Sequence, residues 1–233
     1  EFAPFNLARL IAVAKKAGYK THGLDLNIKS YRYIRRKIEN KVIDYDPYDG
    51  TREWTWLANN YYTEIHPHLE PLFDHYIKNI IKQAPDVVAF SEYYCNEEPV
   101  RWMIKQLRAV LPDVKIIVGG SNTHNQSDRM LEDGIYDYIC CGEGEQILLD
   151  ILDEIERGIT HTTTQLRTQP ENQRINISNL PLPDYSDFDF NDYRFPNGVC
   201  TELSRGCTAK CTFCEETHFW KSVSYTHLRA HET

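Results

Sequence analysis

Apolar positions in the middle of the chain follow two alternating rhythms. Asp86–Ser91 and Val114–Val118 are short, continuous apolar runs of the kind buried in parallel sheets, and Tyr136–Cys140 reads as a third strand. Between them the period lengthens. Val100, Met103, Ile104 and Leu107 mark the inward face of a helix over Pro99–Leu111. Ile147, Leu148, Ile151, Leu152 and Ile155 mark another over Glu145–Arg157, stopped by Gly158. A weaker helix is expected over Ser127–Glu132. Upstream, Asn6 caps a helix that carries Leu7, Leu10, Ile11 and Ala14 and ends at Gly18. Thr21–Leu26 reads as a short strand, and Leu69, Leu72, Phe73, Tyr76, Ile77 and Ile80 have helical spacing over Leu69–Ile81. Strands alternating with helices predict right-handed crossovers and a parallel sheet of the α/β class.

The rest of the chain is less periodic. A polar and aromatic insertion runs from Asn27 to about Glu64. Its Arg35-Arg36-Lys37 run is a solvated helix face, and Trp54, Trp56, Tyr61 and Tyr62 pack the insertion onto the domain. Thr160–Ser178 is polar and β-prone and reads as a hairpin. A proline-rich, acidic linker follows from Asn179 to about Asn197, and a strand is expected over Val199–Ser204.

In parallel α/β sheets, ligands bind beyond the carboxyl ends of the strands. Three of those ends carry small residues here: Ser91, Gly119-Gly120 and Gly142-Glu143-Gly144-Glu145. Glycine lets a ligand approach the backbone closely, and it also serves tight turns. Spacing alone leaves both readings open.

With 233 residues, 41% of them hydrophobic, the chain is long enough for one full domain and part of another. Its formal net charge of −8 argues against general binding to nucleic acid or anionic membrane. No apolar run approaches membrane-spanning length, and no signal peptide is visible. Seven cysteines in a chain of this size do not read as a secreted disulfide framework; their clustering suits a reducing cytoplasm and metal binding.

Cys207, Cys211 and Cys214 stand in a C-x3-C-x2-C pattern led by Ser204-Arg205-Gly206, with Phe213 before the third cysteine. Thiolates are soft ligands that suit iron–sulfur clusters or zinc. Three of them leave one iron of a four-iron cube open to a chelating ligand. His218 could instead complete a Cys3His zinc set. Cys95, Cys140, Cys141 and Cys200 lack metal-ligand spacing and read as structural thiols.

The cysteine stretch resembles the cluster loop of the radical S-adenosylmethionine (SAM) enzymes. The resemblance implies that Cys207, Cys211 and Cys214 hold a 4Fe-4S cluster, that its open iron takes the amino and carboxylate groups of SAM, and that Phe213 lies near the adenine. An electron from a flavodoxin- or ferredoxin-type donor would then split SAM into methionine and a 5′-deoxyadenosyl radical. From Pro4 to about Gly158 the chain resembles the cobalamin-binding domain that precedes the radical SAM domain in one branch of that family. The matching runs are Ala17-Gly18-Tyr19 with Leu24-Asp25-Leu26-Asn27, Pro85–Ser91, Val118-Gly119-Gly120 and Cys141–Glu145. This resemblance implies that Ser91, Gly119, Gly120, Gly142, Glu143 and Gly144 surround the corrin and its nucleotide tail. It also implies a flavodoxin- or Rossmann-like, doubly wound parallel sheet that lacks its first strand, followed by the truncated start of a radical SAM barrel. No Asp-x-His-x-x-Gly motif, which supplies a histidine to cobalt in some cobalamin domains, occurs here.

The expected organisation is a cobalamin-binding-like domain over 1–158, hairpin and linker over 159–198, the start of the radical SAM domain over 199–221, and a non-native, read-through-like tail over 222–233. The function that follows is part of a cytoplasmic radical SAM enzyme, with cobalamin serving methyl transfer to an unreactive centre. Two alternatives stay open: a non-methylating radical reaction, and a non-catalytic corrin or nucleotide carrier with structural zinc. The substrate is not legible, because its contacts would lie in the absent barrel.

Overall fold

In the computed structural model, which describes residues 2–169, 175–209, 211, 212, 214, 224 and 225, thirteen helices and strands follow in order. They are α1 (Phe5–Lys16), α2 (Leu26–Glu39), α3 (Ala58–Asn60), α4 (His66–Gln83), β1 (Val87–Ser91), α5 (Glu97–Val110), β2 (Lys115–Gly119), α6 (Ser121–Asp133), β3 (Tyr138–Cys141), α7 (Gly144–Glu156), β4 (Gln165–Thr168), β5 (Ser204–Arg205) and β6 (Ser224–Tyr225). Short 3-10 and π turns lie between some of them. Among the described residues no helix is long and apolar enough to cross a membrane.

The apolar runs become strands of one sheet in the order β1-β2-β3-β4. β1 and β2 pair in parallel with Ser91 opposite Gly119, and β2 and β3 pair in parallel with Ile117 opposite Tyr138. β4 runs in the same sense as β3: Gln165 N donates to Asp137 O at 2.8 Å and Gln169 N to Cys141 O at 3.2 Å. The α/β class and the parallel sheet therefore stand. The reversal of strand order that defines a doubly wound sheet does not occur among the described strands.

The short strand expected over Thr21–Leu26 makes no sheet pairing; instead, the side chain of Asp25 accepts hydrogen bonds from Asn27 N at 3.0 Å and Ile28 N at 3.3 Å. An aspartate in that position is a strong helix cap, so Leu26 opens α2 and does not end a strand. Three further expectations change. The weak helix at Ser127–Glu132 begins six residues earlier, at Ser121, and buries only Asn122, Thr123 and Met130, so it has almost no apolar stripe to read. The strand over Val199–Ser204 shrinks to Ser204–Arg205, because Val199 and Leu203 are exposed. Its antiparallel partner is Ser224–Tyr225, within the segment read as a foreign tail. β4 belongs to the main sheet, and a hairpin partner for it would fall on 170–174, outside the described residues.

Two compact units make up the chain. The first comprises Glu1–Leu24, Cys140–Thr160 and Arg167–Thr233, and the second comprises Asp25–Ile139 and His161–Leu166. In the second unit Ile34 of α2, Ile43, Tyr61 and Ile65 pack with Leu69, Phe73 and Ile77 of α4 and Met103 and Leu107 of α5. The insertion is thus part of the core. Trp56 packs against that core, Tyr61 is fully buried and bonded to His66 Nδ1 at 3.1 Å, and Tyr62 is partly exposed. The side chain of Trp54 lies outside the described residues.

In the first unit the acidic linker lies along α1. Asp184 N donates to Ala8 O at 2.9 Å, and Lys15 Nζ donates to Asp184 Oδ2 at 2.8 Å. That contact holds the Asp184 carboxyl down at about 2. Farther along, Asp187 Oδ2 accepts from Gly23 N at 2.7 Å.

Deleting a buried leucine costs its transfer energy plus the cavity left behind. Leu107→Ala is expected to lower unfolding free energy by about 2–5 kcal/mol. Leu182→Ala, at a side chain 84% exposed, is expected to change it by less than about 0.5 kcal/mol. Urea unfolding followed by fluorescence measures both.

Candidate functional site

In the second unit the carboxyl ends of β1 and β2 meet at Ser91 and Gly119. The chain then turns sharply at Gly120, with φ +121°, and a Cβ there would fall 2.3 Å from the Glu92 carbonyl oxygen. Both the backbone angle and the space demand glycine, so the neighbouring Glu92 backbone is reason enough for it. Glu92 N donates to Gly119 O at 2.6 Å, and the Glu92 side chain is fully buried. Its Oε1 accepts from Asn122 Nδ2 at 2.7 Å and its Oε2 from the Tyr136 hydroxyl at 3.3 Å. Burial lifts the carboxyl from 4.5 to about 7, against the pull of those two hydrogen bonds; Glu97 pushes the same way as burial, and Arg101 opposes it.

Glu92 was not among the candidates. The available signal was a lone carboxylate directly after the apolar run Val87–Ser91. Beyond it, Tyr93, Tyr94 and Cys95 line an open cleft of about 400 Å³ together with Tyr48 and Trp56 of the insertion and Ser121 at the start of α6.

In the first unit the chain leaves β3 through Gly142, at φ +113°, where a Cβ would meet the side chain of Gln169 at 3.1 Å. Gly144 then opens α7, facing Leu10. Glu143 and Glu145 are buried, and both turn to Arg205. Arg205 Nη1 donates to Glu143 Oε1 and to Glu145 Oε2, each at 3.1 Å, and Nη2 donates to Glu145 Oε1. Glu202 takes Arg205 Nε at 2.6 Å and Nη2 at 2.9 Å. The other oxygen of Glu143 accepts from Ile175 N at 3.0 Å and from Gln169 Nε2. Glu143 N in turn donates to Gln169 Oε1 at 3.2 Å, so the buried residue offers no free carboxylate beyond the strand end. Burial by itself would lower the Arg205 pKa, but its bonds to Glu202 and Glu145 outweigh that and hold it above the ordinary arginine value. Arg9, 3.8 Å from Glu202, is lowered by burial and by the charge of Arg205.

Arg205 leads into the cysteine loop through Gly206, at φ +86°. Cys207 and Cys211 are exposed, Cys214 is half-buried, and all are free thiols. Ala209 N donates to Cys207 Sγ at 3.4 Å and Cys214 N to Cys211 O at 3.2 Å. Among the described residues no three Cys, His, Asp or Glu side chains converge on a metal position. The donor set nonetheless fits a soft metal: three reduced, accessible thiols within eight residues. Phe213 and His218 lie outside the described residues. Of the structural thiols, Cys140 and Cys141 are buried, and burial pushes Cys140 up to about 12; Cys200 is half-buried and Cys95 exposed.

Residues 60–152 match the family model of the B12 binding domain. Over 93% of its length the chain is 24% identical to cytidylyl-2-hydroxyethylphosphonate methyltransferase of Streptomyces wedmorensis, of which it covers 44%. Over 62% of its length it is 24% identical to an uncharacterized methyltransferase of Synechocystis sp., of which it covers 25%. The chain thus spans less than half the length of these curated relatives. No solved structure gives a significant match.

Glu92 has a consequence for stability. Its folded pKa is raised above its unfolded value, so its favourable contribution is full below pH 4.5 and is lost as pH rises through about 7. Across that window the loss is roughly 3 kcal/mol. Glu92→Gln keeps the shape and cannot ionise. Unfolding free energies from urea titration at pH 5 and pH 8 are expected to fall less for Glu92→Gln than for the parent chain, by roughly 2.5 kcal/mol; parallel falls would assign the pH dependence elsewhere.

Proposed function

We propose that this chain is the cobalamin- and cluster-binding part of a radical SAM enzyme that transfers a methyl group to an unreactive centre. The observation that carries the reading is the Arg205 contact. It joins the lead-in of a three-thiol loop to Glu143 and Glu145, the strand-end carboxylates of a stretch that matches the B12 binding domain. The methyltransferase names of both relatives support the transferred group.

In this reading Cys207, Cys211 and Cys214 hold a 4Fe-4S cluster, whose bound form supplies the electron that cleaves SAM. The remaining work belongs to the chain. Phe213 flanks the adenine of SAM. Ser91, Gly119, Gly120, Gly142, Glu143 and Gly144 are the proposed contacts of the corrin and its nucleotide tail. A flavodoxin- or ferredoxin-type protein is the electron donor. The apolar environment of Cys140 keeps its thiol protonated and out of the metal chemistry.

Anaerobic reconstitution with iron and sulfide tests the cluster. The chain is expected to take up about four irons, as a cubane requires. Replacing Cys207, Cys211 or Cys214 by alanine should abolish uptake, and replacing Cys95 or Cys200 should leave it intact. Preferential uptake of zinc, with His218 required, would overturn the reading in favour of a structural metal. A second assay, retention of hydroxocobalamin through gel filtration, tests the corrin half separately.

A further inference from the structure

The geometry points to Arg205 as the positioning residue that sets where the cysteine loop begins, by anchoring it to Glu143 and Glu145; this rests on the reading that the loop holds a cluster. A guanidinium carries five N–H donors in a rigid fork. Among the described residues, five of its hydrogen bonds end on carboxylates: two on Glu202, one on Glu143 and two on Glu145. The side chains of Arg205, Glu143 and Glu145 are 6%, 1% and 6% exposed. Buried charges are held in place by such complete pairing, and removing one partner leaves the others uncompensated.

Glu202 lies only three residues away and stiffens the lead-in locally. Glu143 and Glu145 are 62 and 60 residues away in sequence, so they tie the lead-in to the α7 end of β3. Only Gly206 separates the anchor from Cys207. The first thiol therefore starts from a fixed point in the first unit, while Cys207 and Cys211 remain exposed for a metal. Lysine would keep the charge at residue 205 but has no fork to span two separated carboxylates.

The test uses the full chain with Arg205→Gln, Arg205→Lys and Glu145→Gln. Hydrogen exchange on the metal-free protein reads the anchor directly. Amides of 203–209 are expected to exchange roughly tenfold faster in Arg205→Gln and Glu145→Gln, with Arg205→Lys intermediate, while β2 and α5 stay protected. On the reconstituted protein, the rate of iron loss to a chelator and the electron-paramagnetic-resonance line shape of the reduced cluster read positioning. Arg205→Gln should take up iron, lose it about tenfold faster and show a heterogeneous signal, partly rescued by Arg205→Lys.

Unchanged exchange at 203–209 would overturn the anchor. Faster exchange with an unaltered cluster signal and iron loss would leave Arg205 a fold-stabilising residue and overturn its positioning role. Failure of the parent chain to bind iron would overturn the cluster reading, and positioning with it, while the exchange data would still decide the anchor.

Discussion

A guanidinium taken out of water must be paired on every side or the fold cannot keep it. Arg205 meets that demand with Glu143, Glu145 and Glu202, and each partner comes at a structural cost. Glu143 and Glu145 bracket Gly144, so the turn from β3 into α7 must present both carboxylates inward. That requirement explains why Gly142 adopts a positive φ and why Gln169 and Ile175 close over Glu143. The neighbourhood is also acidic overall, with Arg9 and Arg205 set against three carboxylates. A cation there is therefore held firmly, and a further anion would be unwelcome.

The second unit has a different kind of constraint. Its strand ends are closed by one buried acid whose partners, Asn122 and Tyr136, are neutral donors. Neutral partners favour a carboxylate without matching its charge, which is why burial prevails and the proton stays on to about pH 7. The Glu92 backbone fills the space a side chain at residue 120 would need, so sharp turn and buried acid are parts of one arrangement.

Elements with strong periodicity could be read from the sequence because burial imposes the period. β1, β2, β3, α5 and α7 all fall where apolar spacing put them. Thr21–Leu26 misled because β-branched and apolar residues look like a strand, whereas Asp25 acts through two backbone amides that composition does not reveal. The first turn of α6 was missed because its buried positions, Asn122 and Thr123, are polar residues carried by hydrogen bonds, and Met130 is the one buried apolar side chain of the helix. Tyr61 enters the core from a π-helical turn and Ile43 from an irregular segment, neither with a repeating stripe. At the site, the glycines and cysteines could be picked out by type and spacing. The pairing of Arg205 with Glu145 could not, since no local pattern links residues 60 positions apart. The motif runs at both ends of that pair were visible; the bond between them was not.

The vicinal thiols at the end of β3 have a practical bearing on handling. With its pKa at about 12, Cys140 is thiolate in only about one molecule in a hundred thousand at neutral pH. Alkylating reagents and dissolved oxygen react with thiolates at the surface, so the exposed Cys95, Cys207 and Cys211 stand first in their path. A preparation left in air would therefore lose its loop thiols to oxidation while its fold stayed intact. It would look sound by circular dichroism and yet be unable to take up metal. Counting reactive thiols before and after unfolding separates such material from intact protein.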